Sequence, residues 1–362
     1  MKKTLWLKNR NFDLSFFHLS GILGQALLIP FLIWGPSVLP TIFIAETALC
    51  GWTHNYLTWS ILGPKVSRRY ITMFPFYLVA LGCLVFIAVI PLARGTELAS
   101  WALSLYFYVS VWHTYRQDHG ICKVYDQVQM QRWEDTSLAK DRKWLNIFFA
   151  MASLIVLVNY CSDPIIFHIV AWDKQDYFRF IHPYISKSFF PIFLVATAIA
   201  GVIGVKQAIW DRHRKNKFIP WPQISLITIS TLSYWVPLYI CRGTNVQLPF
   251  AYLVHDFYHT IQYWGFVWLT EEVRSKELLK SCAEPEMAFP QRFAARGNWK
   301  GFFGAAFVYA ACLLFVYRLT PQYIGLSFIF LVSFSHYVLD GYLWRRDTNK
   351  LLPAVLRKLS FA

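Results

Sequence analysis

Apolar residues run along this chain in long stretches, and short polar or basic segments separate them. Ten stretches lie at residues 15–34, 38–62, 71–92, 97–115, 144–162, 187–209, 222–241, 248–270, 300–318 and 321–343. Each is close to the length of about 20 residues that a helix needs to cross a bilayer. The pattern therefore predicts an all-α, polytopic membrane helix bundle of about ten transmembrane helices, formed as a single integral membrane domain over residues 1–362.

Basic residues follow every second apolar stretch. The segment from Lys65 to Arg69 follows the second stretch and the segment from Asp211 to Lys217 follows the sixth, whereas the intervening Gly35-Pro36 connection has no charge. Because positively charged loops remain in the cytoplasm, the alternation predicts that both termini are cytoplasmic. Residues 160–187 fit it least well, and we interpret them as an interfacial helix and loop on the outer side.

Composition agrees with a membrane protein and limits the partners. The 362 residues are 56% hydrophobic and only 15% charged, whereas soluble domains carry about 25% charged residues. The net charge of +15 comes from basic residues in short runs between apolar stretches, so a nucleic-acid partner is not expected. The seven cysteines are scattered and form no CxxC, which argues against a disulfide framework or a thiolate metal site.

Ionisable and polar residues inside four apolar stretches require an explanation, because burying such groups without partners costs free energy. They are Glu46 and His54 in the second stretch; His113, Gln117, Asp118 and His119 at the end of the fourth; His255, His259 and Gln262 in the eighth; and His336 and Asp340 in the tenth. A shared metal ion would satisfy groups on several helices at once, whereas interhelical hydrogen bonds in a packed bundle are the alternative explanation.

The spacing of these residues favours the metal. His255 and His259 are four residues apart and share one helix face, as the two zinc-binding histidines of HExxH do. In His336 and Asp340, at the same spacing, the carboxylate either ligates or orients the imidazole. We predict a metal centre ligated by His54, His113, His255, His259, His336 and Asp340.

A second set of residues is predicted to ligate the metal or to support its ligands: Glu46, Gln117, Asp118, His119 and Gln262. Glu46 could instead form a proton relay or a packing pair with His54. His119 lies about 120° around a continuous helix from His113, so it reaches the site only if the helix breaks near Gly120. Arg116, at the cytoplasmic rim, is predicted to bind an acidic head group of a substrate.

The number and type of ligands suggest which metal binds. Six or more ligands favour two ions over one, because a single ion takes four to six. A nitrogen-rich set without thiolate suits iron, with zinc as the second choice. Most of the candidate residues lie near the cytoplasmic ends of their stretches, so we expect the metal site toward the cytoplasmic side.

The same motifs resemble those of the Brp/Blh-type membrane carotene dioxygenases. The resemblance implies an iron centre held by histidines near one side of the membrane, and dioxygen chemistry on a lipophilic substrate. This chain departs from that family in having Thr58 where the family has a carboxylate after the first histidine. The matching pieces, in the same order along the chain, are His54 in GWTHNYL, His113 and Asp118 in WHTYRQD, His255 and His259 in HDFYH, and His336 and Asp340 in SHYVLDG.

These observations favour a membrane-embedded, histidine-ligated metal oxidoreductase, which acts as an oxygenase, desaturase or hydroxylase with dioxygen. Its substrate would be a lipid, fatty acyl chain or isoprenoid, and an electron-donor protein would be a partner. The alternative is a proton- or metal-coupled membrane transporter that uses the intramembrane His, Glu and Asp residues. Haem held between two histidines is a third hypothesis.

Overall fold

The computed structural model describes most of the chain as helices, with one pair of three-residue strands. The helical class predicted from the apolar pattern is therefore confirmed. The predicted stretch at 71–92 lies outside the described residues. These residues are 4–62, 97–162, 165–167, 176–178, 183–242, 244, 247–281, 289–319, 332–341 and 356–359.

The first two helices follow one another directly, and the backbone departs from helical geometry at Gly35, near the end of the first. Helix α1 covers Arg10–Val38 and contains a π-helical turn at Leu14–Leu19. At Gly35 the backbone has φ +71°, a left-handed value that glycine adopts at no steric cost. Helix α2 follows as three consecutive pieces, which are Leu39–Glu46, a π-helical turn at Thr47–Gly51, and Trp52–Leu62.

The remaining helices include three that, together with α2, carry the candidate site. Two of them, α3 and α7, are much longer than the predicted stretches 97–115 and 248–270. Buried apolar residues continue beyond the stretch in α3, whereas the buried residues of α7 beyond its stretch are polar: Glu271, Arg274 and Ser275. The helices are α3 Glu97–Trp133, α4 Lys143–Ser162, α5 Pro183–Val205, α6 Trp221–Ile240, α7 Gln247–Ser281, α8 Phe289–Ala295, α9 Trp299–Leu319 and α10 at 332–341.

Three segments are long and apolar enough to cross a membrane, by length and composition. They are Arg10–Val38, Ser188–Arg214 and Trp299–Val316, with mean hydropathies of 1.8, 2.2 and 1.7. These segments support an association with a membrane. The ten spans and the cytoplasmic location of the termini stay predictions.

Within residues 160–187 the structure describes a short strand pair, and the predicted interfacial helix and loop stay a prediction for the residues that lie outside the described ranges. Helix α4 runs to Ser162, and Ile165–Phe167 then pairs antiparallel with Asp176–Phe178 before α5 begins at Pro183. Both strands contain β-branched or aromatic residues, which favour extended pairing. This local preference explains why a helix is not formed at these positions.

Buried ion pairs hold together the connections that follow α3 and α5. Arg142 donates two hydrogen bonds to Asp126, and its side chain is fully buried. Arg212, also fully buried, donates to Asp135 at 2.6 Å and to Asp141 at 2.7 Å. Burial alone would raise the pKa of Asp135, but hydrogen bonds from Arg212 and Ser137 outweigh it and lower that pKa to about 2. These pairs anchor the polar ends of the helices.

Helices α4 and α5 approach closely at Gly204. A Cβ atom placed on Gly204 would lie 2.7 Å from the backbone nitrogen of Leu145 and 2.9 Å from its Cα. Backbone atoms cannot move aside as the end of a flexible side chain can. The absence of a side chain at this position is therefore what allows the two helices to pack.

We expect Gly204→Ala to lower the free energy of unfolding by about 1–3 kcal/mol, because the added methyl group overpacks this contact. Thermal unfolding in detergent would measure the loss. The matched control is Gly304→Ala in α9, where an added Cβ would meet nothing within 4 Å. Equal unfolding temperatures for the two variants would contradict the role of Gly204.

Candidate metal centre

Four helices each bring one histidine to the same place in the bundle. His54 comes from α2, His113 from α3, His259 from α7 and His336 from α10. One nitrogen from each ring lies within 4.8 Å of those from the other three. Their exposed fractions are 3%, 8%, 2% and 0%, so the group is shielded from solvent.

The four rings form a closed arrangement around a common centre. Around its sides, the ring centroids are separated by 4.2 Å for His54 and His336, 4.8 Å for His336 and His113, 5.0 Å for His113 and His259, and 4.9 Å for His259 and His54. Imidazole nitrogens bind zinc at about 2.0–2.1 Å, so ligands of one ion lie within roughly 4.2 Å of each other. Small side-chain movements would bring these nitrogens to that separation.

The unsatisfied nitrogens of this group fit a cation. Nδ1 of His54, Nε2 of His113 and Nδ1 of His259 are buried and have no hydrogen-bond partner among the described residues. Nε2 of His54 lies only 2.6 Å from Nε2 of His336. Leaving such groups buried without partners costs about 1–3 kcal/mol each. A metal ion bound by several of these nitrogens would remove that cost, and the all-imidazole donor set suits iron, copper or zinc.

A network of hydrogen bonds surrounds Nδ1 of His336. The Thr58 hydroxyl lies 3.0 Å from Oδ1 of Asp340, 2.7 Å from Nδ1 of His336 and 2.6 Å from the Tyr263 hydroxyl. When Thr58 directs its one proton to Asp340, either directly or through Tyr263, its oxygen accepts from Nδ1–H of His336. Nε2 of His336 is then left with its lone pair directed toward the other histidines, which is the tautomer that a ligand needs.

Asp340 lies beside the histidine group and is positioned to support it. Its Oδ1 accepts a hydrogen bond from the Tyr263 hydroxyl at 2.7 Å in addition to the one from Thr58. Its Oδ2 lies 3.9 Å from Nε2 of His113. The sequence left open whether Asp340 ligates or orients. These contacts favour orientation, together with partial neutralisation of a bound cation.

His255, predicted as a ligand, lies outside the four-histidine group. Its Nδ1 is 2.5 Å from the Ser233 hydroxyl, its ring stacks on Tyr234, and its Nε2 is 3.9 Å from Oδ2 of Asp118. Asp118 in turn accepts a hydrogen bond from Ser230. Both His255 and Asp118 therefore face α6. Residues four apart are about 6 Å apart along a helix, and in α7 only His259 is level with the centre.

The other predicted supporting residues on α3 and α7 lie in three different places. Gln117 donates from Nε2 to the backbone carbonyl of His259 at 2.9 Å, so it ties α3 to α7 beside the centre. Gln262 is fully buried and lies one turn after Tyr258 on α7. His119 stacks on Tyr115, away from the other histidines, because α3 continues without a break through Gly120.

Glu46 was predicted either to contribute to the centre or to pair with His54. It lies instead against Asp256 of α7, with which it shares a hydrogen bond. The π-helical turn at Thr47–Gly51 lies between Glu46 and His54, and it changes the angle between their faces of α2. The carboxylate of Glu46 is buried, and its Oε1 has no hydrogen-bond partner in the part of the chain that the structure describes.

A cavity of about 950 Å³ adjoins the histidine group at His113 and Asp340. Trp112, Tyr337 and other apolar side chains form part of its wall. The guanidinium of Arg116, the predicted head-group residue, lines the same cavity and sits 5.8 Å from the centre of the Trp112 ring. The cavity is therefore a continuous space from a basic side chain to the candidate metal ligands.

Sequence reasoning missed the supporting roles of Thr58 and Tyr263. A signal for them is present, because each of the four grouped histidines is followed four residues later by a polar side chain. These pairs are His54 and Thr58, His113 and Gln117, His259 and Tyr263, and His336 and Asp340. Side chains four apart share a helix face, so the residue after each histidine is placed to contact the same centre.

Comparison with known proteins gives no assignment for this site. No protein-family model, no curated protein and no solved structure matches the chain.

Proposed function

We propose that this chain is a membrane-embedded, histidine-ligated metal oxidoreductase that acts with dioxygen on a lipophilic substrate. The observation that carries the proposal is the group of four buried imidazoles from four helices, with ligand nitrogens within 4.8 Å of one another. Iron is the proposed metal, and it would supply dioxygen activation when bound. The resemblance of the motifs to the Brp/Blh-type carotene dioxygenases supports the same choice.

The residues of the chain provide what such chemistry requires from a protein. His54, His113, His259 and His336 would hold the ion, and the Thr58 hydroxyl is placed to accept the proton of His336 at Nδ1, which would leave Nε2 free to ligate. The burial of the group keeps water away from it. The adjoining cavity gives an apolar substrate a space that passes beside His113.

The geometry supports one ion more directly than two. In the part of the chain that the structure describes, one group of at least three metal-ligating side chains forms. A second ion would have His255 and Asp118 as its nearest pair, with Nε2 and Oδ2 separated by 3.9 Å. We therefore propose one iron held by the four histidines, and metal content per chain would distinguish one ion from two.

The test is metal analysis of the purified protein combined with measurement of dioxygen uptake. We expect about one iron per chain, together with dioxygen consumption that depends on an added lipid and an electron donor. Metal-free protein that folds normally would overturn the proposal. Metal uptake into proteoliposomes, without dioxygen consumption, would instead favour the transporter hypothesis, and a haem absorption band would favour the cytochrome hypothesis.

A further inference from the structure

The cavity beside the histidine group is basic at one end and apolar at the other, and this difference identifies a class of ligand. We infer that it binds a single-chain anionic amphiphile, with its head group between Arg116 and Lys123 and its apolar chain running past His113. The inference names a substrate class for the proposed function. Binding of the ligand does not depend on that function, but its identification as the substrate does.

The basic end of the cavity lies on one stripe of α3. His113, Arg116, Gly120 and Lys123 line the cavity at offsets of zero, three, seven and ten residues, which return to one helix face. The side chains of Arg116 and Lys123 are exposed, and neither forms an ion pair with the residues that the structure describes. Two unpaired cations on one stripe favour an anionic partner.

Gly120 leaves room for the head group between these two cations. A Cβ atom placed on Gly120 would meet nothing within 4 Å. The residue lies one turn from Arg116 and nearly one turn from Lys123, so an anion beside it is within reach of both side chains. Oxygen atoms of a carboxylate or phosphate accept the hydrogen bonds that these cations donate.

The opposite end of the cavity is apolar and extends beyond the histidine group. Val109, Trp112, Phe334 and Val338 line it, and Tyr337 places its ring 4.5 Å from that of His113. These side chains suit a hydrocarbon chain and offer no cation for a second head group. A molecule with one charged end and one apolar end matches both halves of the cavity.

The position of His113 predicts which part of the ligand is next to the metal ligands. Seven residues separate His113 from Gly120, which corresponds to about 10 Å along the helix axis. A head group at Gly120 therefore leaves the centre of the apolar chain, rather than the carbon next to the head group, beside His113. Reaction within the chain is the expected consequence.

The binding test uses the full-length protein in a non-ionic detergent with radiolabelled oleate, and with oleyl alcohol as the uncharged analogue. We expect the double variant Arg116→Ala/Lys123→Ala to weaken oleate binding about ten-fold or more, because charge-assisted hydrogen bonds are lost. Binding of oleyl alcohol should change by less than about two-fold. Competition by lysophosphatidate would show whether phosphate head groups are also accepted.

The matched control for charge is Arg214→Ala/Lys215→Ala, which removes two exposed cations elsewhere. Arg214 lies over Trp210 at 6.0 Å, much as Arg116 lies over Trp112. This variant should bind oleate as the wild type does. Unchanged oleate binding in the Arg116/Lys123 variant, or an equal loss in the control variant, would overturn the inference.

A second variant tests the cavity itself. Gly120→Leu would fill the space beside the two cations while replacing a glycine by a better helix former, so we expect oleate binding to be lost in a folded protein. Gly304→Leu, at another glycine with open space around it, should have no effect on binding. Oleate binding retained in Gly120→Leu would contradict this location of the ligand.

The inference and the proposed function can fail separately. The variant His259→Ala removes a proposed metal ligand and leaves the cavity-lining residues in place. Wild-type protein that folds normally, contains no metal as purified and binds oleate would leave the cavity assignment standing and overturn the metal proposal. Iron bound without any oleate binding would do the reverse.

Discussion

The variant His259→Ala is expected to retain less than about a tenth of the wild-type iron. His259 is one of four ligands, it is 2% exposed, and the arrangement offers no fifth nitrogen at that position among the described residues. Removal of a ligand should weaken binding at least as much as removal of a residue that orients a ligand, which typically lowers metal affinity about 10–100-fold. The measurement is iron per chain after removal of loosely bound metal.

Four further variants make this prediction specific. His336→Ala and the double variant His259→Ala/His336→Ala should lose iron in the same way. His213→Ala, at an exposed histidine on Arg212–Arg214, should retain it. His255→Ala should retain most of the iron if one ion is bound, because His255 lies outside the group. Undiminished iron in the double variant would contradict ligation by these histidines.

The variant Thr58→Val is expected to lower the metal affinity about 10–100-fold while leaving the four histidines in place. Valine has nearly the same shape as threonine but cannot accept the proton of Nδ1 of His336 or donate to Asp340. The imidazole would then be free to protonate Nε2, which is the atom that faces the centre. Competition with a chelator of known affinity would measure the change.

The control for Thr58→Val is Thr53→Val on the same helix. The Thr53 hydroxyl donates only to the backbone carbonyls of Leu49 and Cys50, one turn earlier in α2. Its loss should affect helix stability slightly and metal affinity by less than about two-fold. Thr58→Ser should restore the wild-type affinity. If Thr53→Val weakened metal binding as much as Thr58→Val, the effect would come from general loosening of α2.

Most of the candidate ligands could be chosen from the sequence alone. An apolar stretch that contains a histidine needs a reason for it, because lipid and packed side chains offer few partners. This reasoning selected His54, His113, His259 and His336 from four separated stretches, and the structure brings those four together. It also selected Arg116, which lines the cavity beside them.

The places where sequence reasoning fell short depend on how the helices pack. The spacing of His255 and His259 shows that they share one face of α7, but only packing against α6 and α3 turns His255 toward Ser233 and Asp118. Glu46 shares α2 with His54, yet the π-helical turn between them directs it toward Asp256. A periodicity of 3.6 residues per turn cannot predict such a local change in the turn.

The sequence by itself determined that the chain is helical and that basic connections lie between apolar segments suited to a membrane. It also determined that a few histidines lie where unpaired polar groups would be costly. Only the tertiary structure decided which of these histidines meet, which of their nitrogens are free, and that Thr58 and Tyr263 connect them to Asp340. The physical reason is that helix periodicity fixes the face of each side chain, whereas the rotation and depth of one helix against the next come from packing across the whole bundle.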